Sequence, residues 1–141
     1  MSVLQRHSMM NKLRKGLGHV LLGVMGGIFS EGIDLPAEAL LCAIIVGPSL
    51  PQANLARKQI EKWHQSRYGK GFQYAWLIPG MSRVIQAAGR VIRSPTDKGT
   101  IVLIGRRFLH REYLDFLKLN WSPAKSTDIN SDLRSFWDYT N

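Results

Sequence analysis

Apolar residues in this chain fall into short unbroken runs and longer periodic stretches, and the two predict different elements. His19–Met25, Leu40–Val46 and Thr100–Ile104 are the runs, the second closed by Gly47-Pro48-Ser49-Leu50-Pro51. Runs of this length predict buried strands, and strands apolar at nearly every position belong to parallel sheets covered on both faces. The periodic stretches read as helices. Leu4, Met9, Met10 and Leu13 predict an opening helix to about Lys15, stopped by Gly16 and Gly18. Gln52–Arg67 places Ala56, Ile60 and Trp63 at helical spacing, and Met81–Arg93 does the same with Met81, Val84, Ile85, Ala88, Val91 and Ile92. Leu109–Leu117 and Ser131–Tyr139 predict two further helices around an Asn120–Asn130 loop, while the aromatic-rich Phe72–Ile78 fits neither period. Strands separated by helices give an α/β fold with a mostly parallel sheet flanked by helices. Three strands are few for a doubly wound sheet, so a domain without its opening part is expected.

Composition narrows the classes. The 141 residues suit one domain, and 45% hydrophobic content supports a packed core. A single cysteine, Cys42, excludes an internal disulfide framework and any cysteine-rich metal or iron–sulfur site within the chain. Met1–Lys15 followed by Gly16–Phe29 imitates a secretory signal, but His19 and several glycines interrupt it and no A-x-A site follows. No apolar run approaches the roughly 20 residues of a membrane span. A cytoplasmic protein without membrane contact is expected.

Charge adds a direction. The net charge of +9 is concentrated in Arg57–Lys70, with five basic residues against Glu61, and in Arg83–Arg111, with seven against Asp97. The last fourteen residues carry Asp128, Asp132 and Asp138 against Arg134. A basic middle of this kind suits a polyanionic partner.

Two segments carry candidate chemistry. Within Met81–Arg93, helical spacing puts Arg83, Gln86, Arg90 and Arg93 on one face, with Gly89 slimming its middle. Arginine forks bind two phosphate oxygens at once and stay charged; a solvated polar face is the alternative that spacing leaves open. The turn-rich Gly26–Pro36 offers Ser30, Glu31 and Asp34 among glycines beyond a strand, where α/β domains place ligand contacts, or else it is only a structural turn.

Taken together, these segments resemble motifs V and VI of the superfamily 2 DNA helicases of the XPD/DinG group. Gly27-Ile28-Phe29-Ser30-Glu31-Gly32-Ile33-Asp34-Leu35-Pro36 is similar to motif V, and Gln86-Ala87-Ala88-Gly89-Arg90-Val91-Ile92-Arg93 to motif VI, of form Q-x-x-G-R-x-I-R. The resemblance runs from Leu4 to Trp121. It implies that residues 1–121 are the C-terminal portion of the second RecA-like motor domain, followed by a 122–141 tail with a short helix.

The resemblance also implies roles. ATP lies between two motor domains, with Mg²⁺ held by the first. Arg90 and Arg93 reach the γ-phosphate as arginine fingers, with Gln86 near the terminal phosphate or the attacking water. Asp34 and Glu31, with Gly32 and Gly89, take the nucleotide side. Ser30, with Arg83 as a weaker candidate, faces nucleic acid, expected to be single-stranded DNA. The partner is the first motor domain, which also carries the group's iron–sulfur cluster. This chain has no G-x-x-x-x-G-K-[ST] loop and no Asp-Glu dipeptide, so a D-E-x-H box is missing. Alone it is expected not to hydrolyse ATP and to bind no metal. Gly105 stands where an Asp is common in the group. A non-catalytic nucleic-acid-binding module derived from a helicase domain is the alternative function.

Overall fold

A computed structural model describes residues 3–15, 18–27, 40–119 and 121–140. Helix α1 (Val3–Lys15) opens the chain, and Met10 on it packs with Leu13, Leu21 and Leu40 in a small satellite cluster. Strands β1 (Cys42–Val46) and β2 (Thr100–Ile104) pair in parallel, in register from Cys42 with Thr100 to Val46 with Ile104. Backbone bonds from Thr100 N–H to Leu41 O (3.0 Å) and from Gly47 N–H to Ile104 O (2.7 Å) extend the ladder at both ends. Parallel strands cannot be joined by a hairpin and need a crossover. Here it carries helices α2 (Leu55–Tyr68) and α3 (Ile78–Ala88). A 3₁₀ turn (Arg106–Leu109), helix α4 (Arg111–Lys118) and helix α5 (Ile129–Thr140) complete the described elements. The architecture is mixed α/β, a parallel pair flanked by helices, in keeping with a partial RecA-like domain.

Alternation along the strands divides the sheet into two unequal faces. Ile45 is buried, and Ile101 and Leu103 on the same face join a core of Leu77, Met81, Val84, Ala88, Phe108, Tyr113 and Leu117. On the opposite face Ile44 and Val46 remain 62% and 77% exposed. Among the described residues the sheet is therefore covered on one face, where the unbroken apolar runs led us to expect cover on both. The expected strand His19–Met25 does not form either. Residues 19–24 have no regular structure and Val20, Leu22 and Val24 are exposed, because no described strand lies alongside to receive their hydrogen bonds.

Local chemistry fixes the crossover. Asn54 caps α2 by accepting the Arg57 N–H at 2.9 Å, and the helix closes at Gly69, whose N–H reaches Gln65 O at 3.0 Å. The chain then turns back so tightly that a Cβ on Gly71 would lie 2.9 Å from the Gln65 Cβ, leaving room only for hydrogen at that position. The Gly71 N–H donates to Gln65 Oε1 at 3.0 Å, and Arg57 Nη1 donates to Ala75 O at 3.3 Å. The aromatic segment of unsettled class is a π-helical turn, Gln73–Leu77, which buries Ala75 and Leu77 and runs directly into α3. Gly80, expected before that helix, is its third residue and packs against Ser49 and Leu50. No described helix is long and apolar enough to cross a membrane.

Candidate functional site

The buried stripe of α3 is formed by Met81, Val84 and Ala88. Its other sides carry Arg83 and Gln86, three residues apart and so on neighbouring turns. Arg83 is half-buried, and its guanidinium faces Gly26: a Cβ built on that glycine would lie 3.7 Å from Arg83 Nη1. The polar face of α3 thus meets the chain where the glycine-rich loop begins. Ser30, Glu31, Gly32 and Asp34, further along that loop, lie outside the described residues.

The helix does not continue to Arg93 as the periodicity predicted. It ends at Ala88, and Gly89–Val91 form a tight turn closed by Gly89 N–H to Ile85 O (2.8 Å) and Val91 N–H to Ala88 O (2.9 Å). A shared helix face therefore holds for Arg83 and Gln86, and not for Arg90 and Arg93. Two forces end the helix. Glycine costs about 1 kcal/mol relative to alanine in a helix interior, and the turn swings Val91 into the core while Ile92 and Arg93 run outward. The turn leaves Gln86 and Gly89 exposed, Arg90 half-buried and Arg93 exposed.

Beyond the turn, one carboxylate organises the backbone. Asp97 accepts the Arg93 N–H at 2.7 Å, the Ser94 N–H at 2.9 Å and the Ser94 hydroxyl at 2.7 Å. Ser94 Oγ also lies 2.9 Å from Thr96 Oγ1. Arg93 is thereby fixed at its own backbone, with its side chain left on the surface. The sequence predicts a turn over Ser94–Gly99, and the structure has one there; what the sequence did not single out is the capture of the Arg93 and Ser94 amides by Asp97.

These bonds hold the Asp97 carboxyl below its ordinary value of 3.8: the Ser94 hydroxyl contributes most, then the Arg93 and Ser94 amides, with the Arg93 charge last. A carboxylate with a lowered folded-state pKa stabilises the fold above its unfolded value and loses that contribution as pH falls through the folded one. The loop is accordingly expected to loosen below about pH 3.8. A carboxyl-detected NMR titration of Asp97 is expected to show a midpoint under that value; a midpoint at or above it would mean that the carboxylate does not clamp the loop.

Among the described residues no cluster of three or more His, Cys, Asp or Glu side chains is arranged to hold a metal ion. The geometry provides a cationic turn, half-buried at Arg90 and exposed at Arg93, set on the buried stripe of α3 and chemically suited to contacting an anion.

A family model described as a helicase C-terminal domain matches residues 2–124. The chain belongs to that family. Relatives place this helicase C-terminal domain in the XPD/DinG-like group. It is 32% identical over 127 residues to "ATP-dependent DNA helicase DinG" of Photobacterium profundum, covering 86% of this chain and 17% of that protein. It is 32% identical over 100 residues to "3'-5' exonuclease DinG" of Staphylococcus saprophyticus, covering 70% and 10%. It is 33% identical over 118 residues to "ATP-dependent DNA helicase chl1" of Aspergillus niger, covering 72% and 14%. The helicase C-terminal domain thus spans no more than about a sixth of the length of these curated relatives. Its family match includes the whole of the turn and clamp from Gln86 to Asp97.

Proposed function

We propose that this segment works as one side of a composite ATP site in an ATP-dependent DNA helicase. The observation that carries the reading is the family match across residues 2–124, containing a turn with Arg90 half-buried and Arg93 exposed, backed by the buried stripe of α3. On this reading Arg90 and Arg93 stabilise charge on the transferring phosphoryl group, and Gln86 orients the terminal phosphate or the attacking water. Asp34 and Glu31, with Gly32 and Gly89, line the nucleotide side, and Ser30 and Arg83 face single-stranded DNA. Mg²⁺ and the phosphate-cradling loop belong to the first motor domain, the partner across the cleft. This chain's own contribution is electrostatic and positional: Asp97 fixes the Arg93 backbone, and the buried α3 stripe fixes the turn before it.

The test is ATP-driven separation of a DNA duplex by a polypeptide that joins this segment to a phosphate loop and an acidic box. Nucleotide hydrolysis and strand separation that both depend on the segment are expected. Equal activity without it would overturn the reading.

A second reading, a nucleic-acid-binding module with no catalysis of its own, is favoured by the cations on and just after α2, where Lys58, Lys62, Arg67 and Lys70 are all exposed. It predicts binding of single-stranded DNA by the isolated chain that weakens steeply with salt, since each neutralised phosphate releases counterions.

A further inference from the structure

The outward side of α2 is built from residues that neither helicase motif uses. Trp63 is 47% exposed although it is the largest apolar side chain of that helix, and Tyr68 and Tyr74 beside it are exposed as well. These rings are ordered against one another. His64 stacks on Tyr74 with centroids 4.2 Å apart and planes 10° from parallel, and Trp63 meets the His64 ring edge-on at 4.7 Å. Tyr68 closes on Trp63 at 5.9 Å. Ile60, Trp63 and His64, with Gln59, line a shallow cleft of about 340 Å³.

Positive charge shares the segment with these rings. The Arg67 guanidinium lies over the Trp63 ring, 5.1 Å from its centroid. Lys58, Lys62 and Lys70 are exposed on the same segment, and none of them is ion-paired with a described residue. Glu61 is the sole acid between Arg57 and Lys70. Arg57 is committed elsewhere, to Ala75 O. A protein-binding patch is depleted in lysine at its centre. An exposed tryptophan with an arginine over its ring, on a segment of exposed lysines, instead matches a surface that tracks a phosphate backbone and stacks its bases.

We propose that the Trp63 face of α2 is a stacking platform for a single-stranded nucleic acid, with a base resting on Trp63 beside Arg67 and the backbone running past Lys62 and Lys70. The inference rests on the nucleic-acid reading above and adds to it a contact outside both helicase motifs. Stacking on a π-face is tolerant of sequence, so the platform holds a strand without reading it. Trp63→Ala removes the platform. Trp63→Phe retains a ring for stacking.

The experiment is a fluorescence-anisotropy titration of the 141-residue chain with labelled oligothymidylate of about 15 nucleotides, and with an abasic deoxyribose-phosphate oligomer of the same length. At low salt the wild type is expected to bind oligothymidylate about tenfold or more tightly than the abasic strand, as base stacking on an aromatic supports. Trp63→Ala is expected to erase that difference and Trp63→Phe to keep most of it, with far-UV circular dichroism unchanged. Equal binding of both oligomers by the wild type overturns the platform and needs no variant to show it. Unchanged oligothymidylate binding by Trp63→Ala overturns it too, and in either case nucleic-acid binding itself stands. A change in sedimentation by Trp63→Ala without a change in binding shows a protein-covered face and also overturns it. No salt-sensitive binding of either oligomer overturns the platform and the nucleic-acid reading together.

Discussion

Replacing Arg90 or Arg93 with alanine is expected to lower ATP turnover by roughly 10³-fold or more in a polypeptide that also carries the phosphate loop and acidic box, the scale of an arginine finger. The loss falls on kcat, because a finger acts on charge that develops as the phosphoryl group transfers. Binding of single-stranded DNA in the absence of nucleotide is expected to change little. Lysine is not expected to rescue either position, since a point charge does not reproduce the two-pronged fork. The two arginines are held differently, and the kinetics should separate them. Arg93 is exposed and depends on the Asp97 clamp for its backbone position, so Asp97→Ala is expected to reproduce part of the Arg93 defect and none of the Arg90 one. Steady-state turnover of the four proteins decides this. Undiminished turnover in both arginine variants would end their assignment as fingers.

The second large effect concerns stability. Met81 is wholly buried among Ile45, Leu77, Val84, Phe108 and Leu117 and sits beneath the site. Met81→Ala is expected to cost about 2–5 kcal/mol, the range for truncating a buried aliphatic side chain and leaving a cavity. Folded domains hold only about 5–15 kcal/mol in total, so the variant is expected to be close to unfolding at ordinary temperature. Ile44→Ala on the open sheet face is the matched control. Its side chain is already largely in water, so it is expected to cost under about 1 kcal/mol. Urea denaturation midpoints of the two variants test the contrast, and equal losses would mean that the sheet face is covered in solution.

How far these features were legible follows from which forces are local. β1, β2 and the helix at Leu55–Tyr68 were readable because each carries its own signal: an unbroken apolar run ended by glycine, or apolar residues at helical spacing. The α/β class and the helicase resemblance were readable for the same reason, since both depend on residues close together in the chain. The end of α3 was not. Val91 and Ile92 continue the apolar period past Ala88, and only the capture of the Arg93 and Ser94 amides by Asp97, with the turn at Gly89, shows that the helix stops. His19–Met25 had the composition of a strand, but a strand exists only with a neighbour, and composition is silent on that. The approach of Arg83 to Gly26 joins positions far apart in the chain and has no local signature at all.

Gly105 shows what such a fold asks of its gene. It follows β2 with φ +144° and ψ 138°, a backbone shape that residues with a Cβ avoid, and a Cβ added there would come within 4 Å of Gly47 and Phe108. Every missense change at this codon replaces the one amino acid that takes the shape without strain, so the site has no silent neighbours at the protein level. An aspartate at this position is among the disfavoured residues. Placing any side chain at position 105 therefore demands a rerouted backbone, and a gene that changes this codon must move the turn as well.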